Sequence, residues 1–168
     1  MKNTVIKSVN AQIAEELSSA YIYLGMAAYA ESINLKGFAN WFTVQAKEEL
    51  THAMGFYKHL VNRGEKIDLA AMPKPSTSYK SIVEAVAETL KHEKYITDKI
   101  NKLFELATKE KDYPLASILK WYIDEQVEEE GNATELLDKT KMVGKNETTL
   151  YMLDKELATR VFIEEVIE

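Results

Sequence analysis

In the stretch QAKEELTHAM, residues 45–54, Glu49 and His52 stand three residues apart, a spacing that stacks a carboxylate and an imidazole on one face of a helix. Such a pair can hold a metal ion or pass a proton. The face is otherwise apolar, running Phe38, Phe42, Gln45, Glu49, His52, Phe56, so the pair occupies slots that point to a core. Three other stretches are interrupted in the same way. Along Ile6, Val9, Ile13, Glu16, Ala20, Tyr23, Ala27 and Ala30 the polar slot is Glu16. Along Val86, Thr89, Glu93, Ile96 and Ile100 it is Glu93, and along Leu115, Tyr122, Gln126, Glu129, Ala133 and Leu136 it is Gln126 with Glu129.

Each interruption falls near the middle of its apolar run, so helices packed side by side would bring all of them to one level. Gathering the carboxylates of Glu16, Glu49, Glu93 and Glu129 in a core is prohibitive without compensation, because every unpaired buried ion costs at least several kcal/mol and like charges repel. These core slots carry no Lys or Arg, which makes a bound metal the natural counter-charge. An oxygen-rich set with one imidazole suits divalent iron or manganese, and zinc could also occupy it. Glu16, Glu49, His52, Glu93, Gln126 and Glu129 supply enough donors for two ions bridged by carboxylates. In di-metal helical bundles, two helices each give one Glu and the other two each give a Glu-x-x-His pair. Here the second pair reads Gln126-x-x-Glu129.

Four long helices must position these side chains. Only three Pro and six Gly interrupt 168 residues, and the helical period predicts segments over about 4–33, 36–63, 81–108 and 113–142, with a short fifth over about 148–160. Gly64 and Gly144 stand where C-terminal caps belong, Ser81 with Glu84 forms a capping-box pattern, and Asp112 precedes Pro114 in a first turn. The second and third helices are separated by GEKIDLAAMPKPSTSY. About 16 extended residues at roughly 3.3 Å each can span a helix roughly 42 Å long. The expected fold is therefore all-α: a four-helix bundle with one long crossover between the second and third helices and a short C-terminal helix, in a single domain.

Composition narrows the partners. A net charge of −6 and a pI near 5.2 argue against a nucleic-acid surface and favour cationic partners. Cysteine is absent, which excludes disulfides, thiolate metal sites and a catalytic thiol. The amphipathic start MKNTVIKSVN holds no apolar signal core, and no stretch is long enough to span a bilayer, so a soluble cytoplasmic protein is expected. His59 and His92 read as surface residues, Glu130 as part of a solvated helix face and Trp121 as a core aromatic.

The segments NAQIAEELSSAYIYLGMA, FANWFTVQAKEELTHAMGFY, LKHEKYITDKIN and LKWYIDEQVEEE, followed by YMLDKEL, resemble the prokaryotic non-haem ferritins in order over nearly the whole chain. The resemblance implies that Glu16, Glu49, His52 and Glu93 hold a first iron, that Glu49 bridges to a second held by Glu93, Glu129 and Gln126, and that Tyr23 borders this ferroxidase centre. It also implies a third, weaker iron position at Glu48, Glu125, Glu128 and the shared Glu129. The expected activity is oxidation of Fe(II) by dioxygen or peroxide, with the ferric product stored inside a shell of twenty-four copies. Trp121 is a second candidate electron donor. No haem is expected, because the position of the haem-ligating Met of bacterioferritins is Leu50, and the His of their second Glu-x-x-His is Glu129. Ala11 and Ser18 depart from common family residues without touching a ligand position. A di-iron oxidase or peroxidase of small oligomeric size, storing no iron, would use the same ligands. A purely structural bundle binding a partner through its acidic face is the remaining alternative. The tail VFIEEVIE has no assigned role.

Overall fold

The computed structural model describes residues 1–144, 146–164 and 166–167; two of the acidic tail residues read above, Glu165 and Glu168, lie outside the described set, as does Lys145. Five helices follow in order: α1 (Asn3–Ser32), α2 (Lys36–Asn62), α3 (Ile82–Lys109), α4 (Tyr113–Val143) and α5 (Glu147–Leu157). The expected boundaries hold to within a few residues. The fifth helix ends at Leu157 rather than near 160, where Asn40 Nδ2 takes over the Leu157 carbonyl at 3.1 Å.

Two apolar clusters fill the bundle, one at each end, and their membership gives the helix directions. Tyr23, Met26 and Ala30 from late α1 pack with Phe38 and Phe42 from early α2, Ala85 and Val86 from early α3, and Leu136 from late α4. Val5, Val9 and Ile13 from early α1 pack with Phe56 and Leu60 from late α2, Ile96, Ile100 and Leu103 from α3, and Leu115 and Leu119 from early α4. Thus α1 runs antiparallel to α2 and α3, while α2 and α3 run parallel. The crossover must travel the full length of the bundle, as the length of the loop requires.

Its path lies along α1. Asn10 Nδ2 donates to the Lys66 carbonyl at 3.1 Å, the Asp68 N–H donates to Asn10 Oδ1 at 2.7 Å, and Tyr79 packs edge-on to Tyr29 near the other end. Local signals punctuate the helices as expected. Gly64 has φ 69°, Asp112 caps α4 by accepting from the Leu115 N–H at 3.3 Å, and Ser81 caps α3 by accepting from the Glu84 N–H at 3.1 Å. The return bond of the capping box is shifted, since Glu84 Oε2 accepts from the Lys80 N–H instead of that of Ser81.

Helix α2 has no N-cap of its own. Asp154 of α5 supplies it, accepting from the N–H groups of Gly37 at 2.7 Å and Phe38 at 3.0 Å. This docks α5 on the bundle and explains Gly37: a Cβ there would lie 1.6 Å from the Asp154 carbonyl oxygen.

Candidate metal centre

Between the two apolar clusters lies a buried polar layer. Glu16, Gln45, Glu49, His52, Thr89, Glu93, Gln126 and Glu129 are all buried, and every long helix contributes to it. The sequence stripes were accurate at these positions. They slipped only at Ile6 and Ala20, which are half-buried while Val5 is the buried neighbour.

The donors converge. One ligand atom each from Glu16, Glu49 and His52 lies within 4.8 Å of the others, and a second group joins His52 to Glu125 and Glu129. His52 is common to both, with its Nδ1 3.5 Å from Glu49 Oε2, an electrostatic contact and not an aligned hydrogen bond. Glu93 completes the layer from α3. It accepts the Tyr23 hydroxyl hydrogen, and Gln126 Nε2 reaches its Oε2 at 3.4 Å and its carbonyl at 3.2 Å. Glu48 and Glu125 are half-buried at the edge of the layer, whereas Glu128 is exposed and belongs to neither group.

Several carboxylate oxygens are held by neutral amides. Gln12 Nε2 donates to Glu16 Oε1 at 2.9 Å, and Gln45 Nε2 donates to Glu129 Oε2 at 2.8 Å. Yet among the described residues Glu16 Oε2, Glu49 Oε2 and Gln45 Oε1 are buried without a hydrogen-bond partner. A folded protein rarely leaves such oxygens unsatisfied, and each costs about 1–3 kcal/mol. A cation set among these oxygens would satisfy the Glu16 and Glu49 atoms together.

The electrostatics agree with the geometry. Burial raises the carboxyl of Glu16 above its usual value and lifts that of Glu49 well above it, with the neighbouring Glu93 adding to the latter. Burial pushes Glu93 up to about 7. It pushes Glu129 up to about 8, with further repulsion from Glu93, Glu48 and Glu125. Burial and the adjacent Glu93 also raise the Tyr23 phenol well above its ordinary value. Without a cation the layer therefore keeps protons at neutral pH. A divalent metal would displace them.

The aromatic border was partly legible. Tyr23 bonds Glu93, and Trp121 lies 5.5 Å edge-on from His52. Tyr122, read only as core, donates its hydroxyl to the His52 carbonyl at 2.7 Å and so fixes α2 against α4 at the layer. Two surface readings need correction. His92 is half-buried, 2.7 Å from Ser19 Oγ and edge-on to Tyr23, and desolvation lowers its value to about 4. Glu130 accepts the Thr97 hydroxyl hydrogen at 2.6 Å instead of standing in solvent. Gln12 was overlooked because it lies beside the chosen stripe, although its position one turn before Glu16 was a usable signal.

Among the described residues, no helix is long and apolar enough to cross a membrane. A family model described as Ferritin-like domain matches residues 6–143. The chain is 38% identical over 165 residues to the bacterial non-heme ferritin of Staphylococcus haemolyticus, covering 98% of this chain and 99% of that protein. It is 37% identical over 164 residues to the corresponding protein of Staphylococcus saprophyticus, covering 98% of each. Among solved structures, a closed form of the Archaeoglobus fulgidus ferritin engineered by site-directed mutagenesis matches with a TM-score of 0.95 at 40% identity, covering 97% of this chain and 99% of that one. The open-pore ferritin of the same hyperthermophilic archaeon matches with a TM-score of 0.94 at 40% identity, covering 96% and 99%.

Proposed function

The chain belongs to the ferritin-like family, and on that premise we propose that it is an iron-storage ferroxidase: it oxidises Fe(II) within the buried polar layer and stores the ferric product in a hollow cytoplasmic homo-oligomer of twenty-four copies. The observation that carries this reading is the layer itself, in which four helices gather four carboxylates and one imidazole while buried oxygens of Glu16 and Glu49 lack hydrogen-bond partners. The 168 residues are read as one domain built around this layer.

Iron is the substrate. Glu16, Glu49, His52 and Glu93 would hold the first ion, with Glu49 shared by a second ion on Glu93, Glu129 and Gln126. Glu48, Glu125 and Glu128, with Glu129, would form a third and weaker position. Two ferrous ions give up one electron each, and dioxygen takes both with two protons and leaves as peroxide. The protein's part is positioning and proton balance. Gln12 and Gln45 hold one oxygen each of Glu16 and Glu129, so that the second oxygen of each would serve as ligand, and the apolar clusters on either side exclude bulk water. The protonated carboxyls of Glu93 and Glu129 release protons as iron binds. Hard carboxylates favour Fe(III) over Fe(II) and so favour oxidation. Tyr23, bonded to Glu93, would border the centre and hold that carboxylate in place. Haem has no role in this reading, as Leu50 offers no axial ligand.

Aerobic addition of Fe(II) to metal-free protein, followed by the ultraviolet absorbance of ferric product and then by sizing with an iron assay, tests the proposal. Rapid oxidation with iron accumulating in a large particle is expected. Rapid oxidation in a small oligomer without accumulation would replace storage by a soluble di-iron oxidase, and no acceleration over buffer would overturn the ferroxidase reading.

A further inference from the structure

Beyond α5 several described residues of the tail return to the bundle. Asn40 Nδ2 donates to the carbonyl of Arg160 at 2.9 Å as well as to that of Leu157, turning the tail onto α2. The Arg160 guanidinium lies 4.7 Å over the Trp41 ring, donates to the Trp41 carbonyl at 3.4 Å and donates to Glu48 Oε2 at 2.7 Å. Farther along, Lys47 sits 5.9 Å over the Phe162 ring, and Ile167 packs against Gly55, where a Cβ would come within 2.8 Å of its Cδ1. The tail is thus strapped along α2 from Asn40 to Gly55.

Among the described residues, the strap reaches the polar layer at Glu48. This carboxylate is close enough to Glu129 to raise its proton affinity, as Glu125 also does. Glu125 gathers with His52 and Glu129 into a group that could hold a cation, while Glu48 stands outside that group with its Oε2 on the guanidinium. We propose that Arg160 is a positioning residue of the centre: it holds the Glu48 carboxylate on the tail, away from the His52, Glu125 and Glu129 cluster, and so limits how tightly iron is retained at this edge. The inference rests on the proposed iron-binding function and deepens it.

A cation recruiting Glu48 must break a charge-assisted bond and bear the field of the guanidinium left nearby. Solvent screening at this half-buried edge keeps the effect modest, so removing Arg160 should tighten binding here by about tenfold. Retention would oppose transfer of ferric product onward, which gives the strap a reason to compete for Glu48.

The test is calorimetric titration of the assembled, metal-free protein with Zn(II), a redox-inert probe. The wild type should show tight sites at the centre and a weaker step. Arg160→Gln should tighten the weaker step by about tenfold, whereas in a Glu48→Gln background the same substitution should leave that step unchanged. A merely structural role for the strap would not make the gain depend on Glu48. An unchanged weak step in Arg160→Gln, or an equal gain when Arg160→Gln is added to Glu48→Gln, overturns the proposal. Absence of any tight zinc binding in the wild type would instead overturn the metal-centre reading, and this proposal with it.

Discussion

Neutralising Glu129 should remove much of a pH dependence that the metal-free protein otherwise shows. The folded state raises Glu129 to about 8 and Glu93 to about 7, each from an ordinary 4.5, mainly by burial. Between the unfolded and folded values the native protein binds more protons than the unfolded chain, so stability falls as pH rises through that window. It is fully present below about pH 4.5 and is lost as the pH passes the folded values. One such group costs about 1.4 kcal/mol per pH unit. Taking half of the summed effect, because the two carboxyls are coupled, water can penetrate and the lowered His92 acts in the opposite sense below about pH 6.5, leaves about 3 kcal/mol lost between about pH 5 and pH 7.5. For a chain of this size that is a fall of about 6–12 °C in Tm. Thermal unfolding of chelator-treated protein, followed by circular dichroism across this range, measures it, and Glu129→Gln should make the slope shallower. Saturating Zn(II) should reverse the slope, because metal binding requires the deprotonated carboxylates. A flat or rising stability from pH 5 to 7.5 in metal-free wild type, or an unaltered slope in Glu129→Gln, would refute the burial argument.

Other outcomes follow from the same geometry. Glu49→Ala or His52→Ala should bring Fe(II) oxidation to within about twofold of the buffer rate while the helical circular-dichroism signal persists, since each removes a donor from the buried layer. Tyr23→Phe, which deletes the hydroxyl bonded to Glu93, should slow oxidation by about 3- to 10-fold while changing zinc affinity by less than about threefold. Stopped-flow absorbance and calorimetry separate those two effects. Gly37→Ala would drive a Cβ into the Asp154 carbonyl, unseating α5 and the cap it gives to α2; a loss of about 2 kcal/mol or more, seen as a Tm lowered by about 4 °C or more, is expected.

Much of the architecture was legible because helical periodicity and breakers are local signals. Gly64, Asp112 and the spacing of Phe38, Phe42, Phe56 and Ile96 mark where helices stop and which face turns inward, and the length of the loop after α2 fixes the parallel crossover. The layer was legible for a related reason: Glu16, Glu49, His52, Glu93, Gln126 and Glu129 interrupt apolar stripes, and an interruption repeated on four helices carries information that one does not. What escaped was tertiary. That Asp154 caps α2, that Gln12 and Gln45 steady two carboxylates, or that Arg160 returns to Glu48 depends on which elements meet in space. Side-chain length hid the partners of His92 and Glu130, because a polar residue at the margin of a stripe can reach a neighbouring helix without occupying a core slot.

The most direct test of the proposed centre is anomalous diffraction at the iron edge from crystals of the protein loaded with Fe(II) without oxygen. Two iron peaks within each bundle are expected, one bounded by Glu16, Glu49, His52 and Glu93 and the other by Glu49, Glu93 and Glu129, both disappearing in Glu49→Ala. Iron found only outside the polar layer, or peaks that survive that substitution, would contradict a ferroxidase centre at these residues.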